Sequence, residues 1–170
     1  MNLTPVSEIA AVALSSTPSA GGRPGGPGGA VVDQEVQWLV DRTRIRELTA
    51  RYNRAFDDGD AEAFAATFTP DGVMEVTGSF EVRGHEGLAQ MCRRVPYGIV
   101  HVTVDAIVEV DGDRAVQDVT VLVLQRPKPD AGPDERTSRL DRSGRYRDEL
   151  VRTPDGWRFS KRTATLDGGV

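Results

Sequence analysis

From Ile99 onward the chain alternates long β-forming runs with short turn clusters, and this pattern restricts the fold more than any other feature. Ile99 to Val110 and Arg114 to Gln125 flank Asp111-Gly112-Asp113, while Gly144 to Arg152 and Gly156 to Leu166 flank Thr153-Pro154-Asp155-Gly156. Both arrangements are hairpin signatures, because the turns hold residues that accept unusual backbone angles. The four strands predict one curved antiparallel sheet. Between the hairpins, Arg126 to Arg142 is polar, holds three prolines and exceeds the usual strand connection. It reads as a mobile surface loop or, alternatively, as a lid or dimer arm.

The amino half has a different period. Asp33 can cap a helix whose apolar residues Val36, Leu39, Ile45, Leu48, Tyr52 and Ala55 recur at threes and fours, and Asp57-Asp58-Gly59 ends it. Asp60 caps a second helix over Ala61 to Phe68, and Thr69-Pro70-Asp71-Gly72 reads as a turn. A hairpin of Val73 to Thr77 with Phe80 to Val82 follows, then a third helix from Gly84 to Arg94 with Leu88, Met91 and Cys92 inward. Helices first and a long sheet afterwards is an α+β order, with helices covering one sheet face. The expected architecture is a cone-shaped α+β barrel, its curved antiparallel sheet wrapped around the N-terminal helices.

Ser15 to Ala30 reads SSTPSAGGRPGGPGGA, a run that buries too little to offset the entropy of ordering it. Residues 1–32 are therefore expected to be a disordered Gly/Pro-rich tail, and residues 33–170 a single domain. No strand precedes the tail glycines and prolines interrupt them, which argues against a phosphate loop. Met1 to Leu14 has Glu8 and no basic leader, so it makes a poor secretory signal. No apolar run reaches the roughly 20 residues that span a bilayer. With 21 basic and 26 acidic residues, the chain is a poor match to a phosphate backbone, and no nucleic-acid partner is expected. The single cysteine, Cys92, precludes an internal disulfide and suits a cytoplasmic location.

Proton-moving groups concentrate in the middle of the chain. His101 is one of two histidines and interrupts a valine-rich strand, where an imidazole needs a partner. The acidic helix end at Asp57 can supply it. By strand alternation Val100, Val102, Val104, Val108 and Val110 share one face, leaving Ile99, His101, Thr103, Asp105 and Ile107 on the other. That mixed face suits the wall of a small-molecule pocket, which Tyr146 and Asp148 could extend. Asn53 is helically in line with Asp57, whereas Tyr52 lies about 140° away. His85, His101 and Cys92 lack metal-ligand spacing, and there is no GxSxG elbow or dinucleotide fingerprint. No cofactor or metal is expected.

The segments RYNRAFDDGD, TPDG, HVTVDAIVEVDGDRA, GRYRDELVR and DGWRFSKR resemble the SnoaL-like branch of the nuclear-transport-factor-2-like superfamily. That branch includes scytalone-dehydratase-like and bile-acid-dehydratase-like proteins. The resemblance implies a catalytic set matching Tyr52, Asp57, His101 and Arg162; Asn53, in line with Asp57, and the wall residues Thr103, Asp105 and Tyr146 are the expected substrate contacts, with Asp105 standing where the family often carries an asparagine. It implies a cofactor-independent dehydratase acting on a hydrophobic cyclic or polyketide-like carbonyl compound. An isomerase or cyclase using the same pocket, or a non-catalytic binding protein or accessory subunit, is the alternative. A homodimer or homotrimer formed through the sheet is the expected assembly.

Overall fold

The computed structural model describes residues 27–132 and 136–167. The tail expectation for residues 1–26 therefore lies outside the described residues. Helix α1 runs Pro27–Asp57, so Asp33 lies inside the helix and does not cap it. Pro27 suits a first helical turn, where its missing N–H would be unbonded in any residue. Side chains 33–39 are exposed, including Val36 and Leu39, which the periodicity assigns to the core. Burial begins at Asp41, where α1 reaches the sheet, and continues through Ile45, Leu48, Tyr52 and Ala55.

Asp41 fixes that contact. Its carboxylate accepts two hydrogen bonds from Arg152, at 2.8 and 2.7 Å, and one from Trp157 Nε1 at 3.0 Å, all from the far end of the chain. Bonding to Arg152 holds the Asp41 carboxyl well below its ordinary value, outweighing burial, which acts in the opposite direction. A carboxyl lowered on folding stabilises at pH values above its unfolded pKa, and that contribution is lost as pH falls toward the folded pKa. Asp41→Ala is expected to cost about 2 kcal/mol near neutral pH. Its urea midpoint should also change less than that of the wild type between pH 6 and pH 3, roughly the span over which carboxylates titrate.

Gly59, with φ +71°, turns the chain out of α1, and Asp60 Oδ1 accepts the Ala63 N–H at 3.0 Å to cap α2, Ala61–Ala65. That helix is shorter than the expected Ala61 to Phe68, because Phe68 already begins β1, Phe68–Val76. The expected turn at Thr69 to Gly72 is a bulge inside β1, where pairing with the last strand slips between Phe68 and Val73. Gly72 is needed there: a Cβ would stand 2.8 Å from Phe68 Cβ. The remaining elements are β2 (Phe80–Arg83), α3 (Gly84–Cys92), β3 (Ile99–Asp111), β4 (Arg114–Gln125), β5 (Arg139–Thr153) and β6 (Gly156–Asp167). Cys92 is buried, and burial pushes its thiol up to about 11, as suits a core residue. Because β5 starts at Arg139, the connection after β4 is shorter than expected.

The six strands form one curved, unclosed sheet in the order β2-β1-β6-β5-β4-β3, matching the expected cone. Strands β3 to β6 pair antiparallel with one another, as the hairpins require, whereas β1 joins β6 in parallel. A parallel partner needs a long crossover, and here the whole β2–β5 segment provides it. Bulges between Val104 and Ile107, Val123 and Leu124, and Glu149 and Leu150 let the sheet bend around the helices. Tyr52, Phe64, Phe68 and Phe159 fill its concave side with ring centroids 4.9 to 5.9 Å apart. None of the described helices is long and apolar enough to cross a membrane.

Candidate functional site

The end of α1 lies along the edge strand β3, and three side chains of α1 tie the two together. Arg46 donates to the Ala106 carbonyl at 2.9 Å, Asn53 Nδ2 to Thr103 Oγ1 at 3.0 Å, and Asp57 accepts twice from His101. The helical alignment of Asn53 with Asp57 is what brings both to one strand. The 140° offset sends Tyr52 instead into the aromatic core.

Among the described residues Asp57 and His101 form the one carboxylate–imidazole pair within hydrogen-bond distance. Oδ1 lies 2.6 Å from Nδ1, and Oδ2 accepts the His101 backbone N–H at 2.9 Å. An ionised carboxylate can only accept, so Nδ1 carries the proton, and in the neutral imidazole Nε2 then presents its lone pair. Nε2 has no hydrogen-bond partner among the described residues and is not among their fully buried, unpartnered atoms, so it meets open space. Both side chains are 10% exposed. Phe56 packs edge-on against the imidazole with centroids 5.3 Å apart, placing an apolar surface beside it. The pair can therefore accept a proton at Nε2 while Asp57 stabilises the cation at Nδ1.

Tyr52, Tyr146 and Arg162 form a separate buried cluster. Arg162 is fully buried and grips Asp148 with two hydrogen bonds, at 2.7 and 2.6 Å. Its guanidinium lies 4.1 to 4.3 Å from the ring centroids of Tyr52, Tyr146 and Phe159. Burial opposes the Arg162 charge, yet Asp148 outweighs it and raises the guanidinium pKa further. The Tyr52 hydroxyl donates to Met74 Sδ at 3.6 Å, and burial pushes the phenol up to about 12 despite Arg162 nearby. The tyrosine of the expected catalytic set thus points into the core, and the arginine is held by Asp148. Tyr146, expected as a substrate contact, packs on Arg162 with its phenol raised well above the ordinary value by burial.

Asp105 departs from the expected wall. It is the one non-glycine residue with positive φ among the described residues, at +56°, and it is exposed on the bulge that breaks β3 pairing between Val104 and Ile107. The extra residue reverses the alternation. Val108 is buried and Val110 packs on the core, whereas Ile107 is 65% exposed. His101 and Thr103 thus share their inward side with Val108, not with Ile107. Aspartate tolerates this backbone region better than branched residues do. Asp105→Val is expected to cost about 1–2 kcal/mol, with Asp105→Gly close to neutral, by thermal unfolding.

Gln117 and Thr49 extend the buried Arg162 cluster but carry no motif. Gln117 Nε2 donates to Thr49 Oγ1 at 2.8 Å and to Asp148 Oδ2 at 2.7 Å, linking α1 to the Arg162 cluster. The available signal was a polar residue at the inward period of β4, between Ala115 and Val119. His85 Nε2 lies 3.0 Å from the Phe68 carbonyl, a local tie at the start of α3. Among the described residues no three His, Cys, Asp or Glu side chains converge as a metal site.

Comparison with known proteins gives a consistent result. The model of a SnoaL-like domain matches residues 37–163. Uncharacterised proteins of Mycobacterium tuberculosis and Mycobacterium bovis are 31% identical over 144 residues, covering 80% of this chain and 94% of theirs. An NTF2-like protein with a cystatin-like fold from Novosphingobium aromaticivorans superposes with a TM-score of 0.71 at 30% identity, over 82% of this chain and 90% of that one. A putative scytalone dehydratase from the same species gives a TM-score of 0.64 at 21% identity, over 78% and 90% of the two chains, a likeness of fold.

Proposed function

The chain belongs to the SnoaL-like domain family, and on that premise we propose that it is a cofactor-independent acid-base lyase, a dehydratase of a hydrophobic cyclic or polyketide-like carbonyl compound. The observation that carries this reading is the Asp57–His101 pair, 2.6 Å apart with Nε2 open. His101 Nε2 takes a proton from the carbon beside the substrate carbonyl, and the C–H electron pair moves toward that carbonyl as an enolate. The enolate then expels the β-hydroxyl, and the imidazolium returns the proton to it, so the products are the unsaturated carbonyl compound and water. A single histidine serves both steps because the Tyr52 hydroxyl is turned to Met74 and cannot deliver a proton. Asn53 and Thr103, tied to each other two residues from His101, border the substrate. Phe56, packed against the imidazole, gives the base an apolar neighbour. Without a leaving group the same base gives isomerisation or cyclisation.

One observation favours a non-catalytic binding or accessory role: aromatic rings and the Arg162–Asp148 pair occupy the concave side of the sheet. The two readings separate in D₂O. Full-length protein with a panel of cyclic β-hydroxy ketones, 3-hydroxycyclohexanone among them, is expected to exchange the α-proton and form the enone, both followed by NMR. Binding without exchange would replace the lyase by the binding role. Val102 and Val104, exposed on the outer side of β3, support assembly as a homodimer or homotrimer through the sheet.

A further inference from the structure

An open cleft of about 660 Å³ lies against the connection between β4 and β5, lined by Gln125, Arg126, Lys128, Asp130, Thr137 and Arg139 among others. Its volume falls within the usual range for small-molecule sites. Arg126, Lys128, Thr137 and Arg139 are all exposed, so their polar groups are open to a ligand. Three cations face one carboxylate, Asp130, in a chain whose overall charge is −5. Among the described residues none of the three has an ion-pair partner, whereas Arg83, Arg93, Arg142, Arg147 and Arg152 each contact a carboxylate. The backbone beneath the cleft is fixed. Gln125 Nε2 donates to the Tyr97 carbonyl at 2.8 Å and to the Arg126 carbonyl at 3.1 Å, and the Arg126 N–H donates to the Gly98 carbonyl at 2.7 Å. Gly98 has φ +88°, and a Cβ there would collide with the Gln125 amide. Gln125 pairs with Ile99 and Val123 with His101, so the cleft opens at the end of the sheet that carries the Asp57–His101 pair.

We infer that this cleft binds a small organic dianion, a phosphate monoester or a dicarboxylate, held by Arg126, Lys128 and Arg139 with the Thr137 hydroxyl as a further donor. Charge selects the ligand: three cations against one carboxylate leave two positive charges uncompensated, which a dianion neutralises. Arginine and lysine side chains only donate, and a guanidinium matches an oxyanion with two parallel hydrogen bonds, so the lining groups are complementary to ligand oxygens. Pro127 and Ala131 add apolar wall, which suits an organic body and not a bare inorganic ion. The inference concerns binding alone and holds whether or not Asp57 and His101 carry out the proposed elimination.

The test titrates ¹⁵N-labelled full-length protein with phenyl phosphate, phthalate or benzoate at constant ionic strength and about pH 7.5, where a phosphate monoester carries close to two charges. At least one of the two dianions is expected to shift the backbone amides of Arg126, Lys128 and Arg139 saturably, and the tighter of them identifies the anionic group. Benzoate, with a single charge, should bind about tenfold more weakly, as should the dianion to Arg139→Gln, a loss the size of one charge-assisted hydrogen bond. Lys128→Gln reads the same loss should Arg139→Gln fail to fold. Arg44→Gln, which removes an exposed cation of α1 outside the cleft, should keep the affinity within about twofold of wild type. No saturable shift, equal affinities for benzoate and the dianions, or a loss in Arg44→Gln as large as that in Arg139→Gln would overturn the site and reduce the three cations to general surface charge. Because 3-hydroxycyclohexanone is uncharged, its turnover and the binding of a dianion can fail independently.

Discussion

Asp148→Ala is expected to destabilise the protein by about 3–5 kcal/mol, read as a lowered free energy of unfolding in urea. Asp148 and Arg162 are both fully buried, and removing the carboxylate strands a guanidinium that cannot shed its charge. Three aromatic faces around Arg162 recover only part of the loss, since a desolvated cation–π contact is worth about 2 kcal/mol. The same carboxylate also accepts from Gln117, so the variant frees a second buried donor. Arg162→Met combined with Asp148→Leu removes both charges together and is expected to cost less than Asp148→Ala alone. A double variant as unstable as the single one would show that the cluster stabilises through shape and not through charge.

The second large effect is on turnover. His101→Ala should lower enone formation about 10²- to 10⁴-fold, or about 3–5 kcal/mol of barrier, because it deletes the base that the proposed reaction uses twice. Asp57→Asn is the more informative change. An asparagine can still accept the His101 backbone N–H, but it loses the negative charge opposite Nδ1, so the imidazolium formed in the first step is no longer stabilised. The expected signature is a large fall in kcat with the fold retained, shown by an unchanged circular dichroism spectrum. Because Asp57 also fastens α1 to β3, full unfolding of Asp57→Asn would make the pair a structural tie. Wild-type turnover by His101→Ala would remove the acid-base mechanism altogether.

Much of the site was legible because helical period is a local property. The four-residue interval from Asn53 to Asp57 places both on one side of α1 from sequence alone, and β3 then meets them at Thr103 and His101. Tyr52 was harder to read. It shares the apolar stripe and the catalytic motif of the resemblance, and only its neighbours Phe64, Phe68, Phe159 and Met74 assign it to the core. Arg162 was equally ambiguous, because an arginine at an inward strand position becomes a buried ion pair or a pocket donor according to what stands opposite. Asp148 is its direct partner in the β5–β6 register, and strand register is set by tertiary pairing.

The order of elements, the hairpins and the inward period of the strands follow from residue types and their spacing, since these act over a few residues. The bulge at Asp105, the parallel pairing of β1 with β6 and the burial of the Arg162 cluster arise only when distant segments compete for the same interior space. A one-residue bulge reverses every side chain beyond it, and no local preference in Val104-Asp105-Ala106 marks the point of reversal. The pairing of Asp57 with His101 has both origins: the helix end and the strand can be read locally, while the 2.6 Å between them exists because the sheet curves to bring its edge against α1.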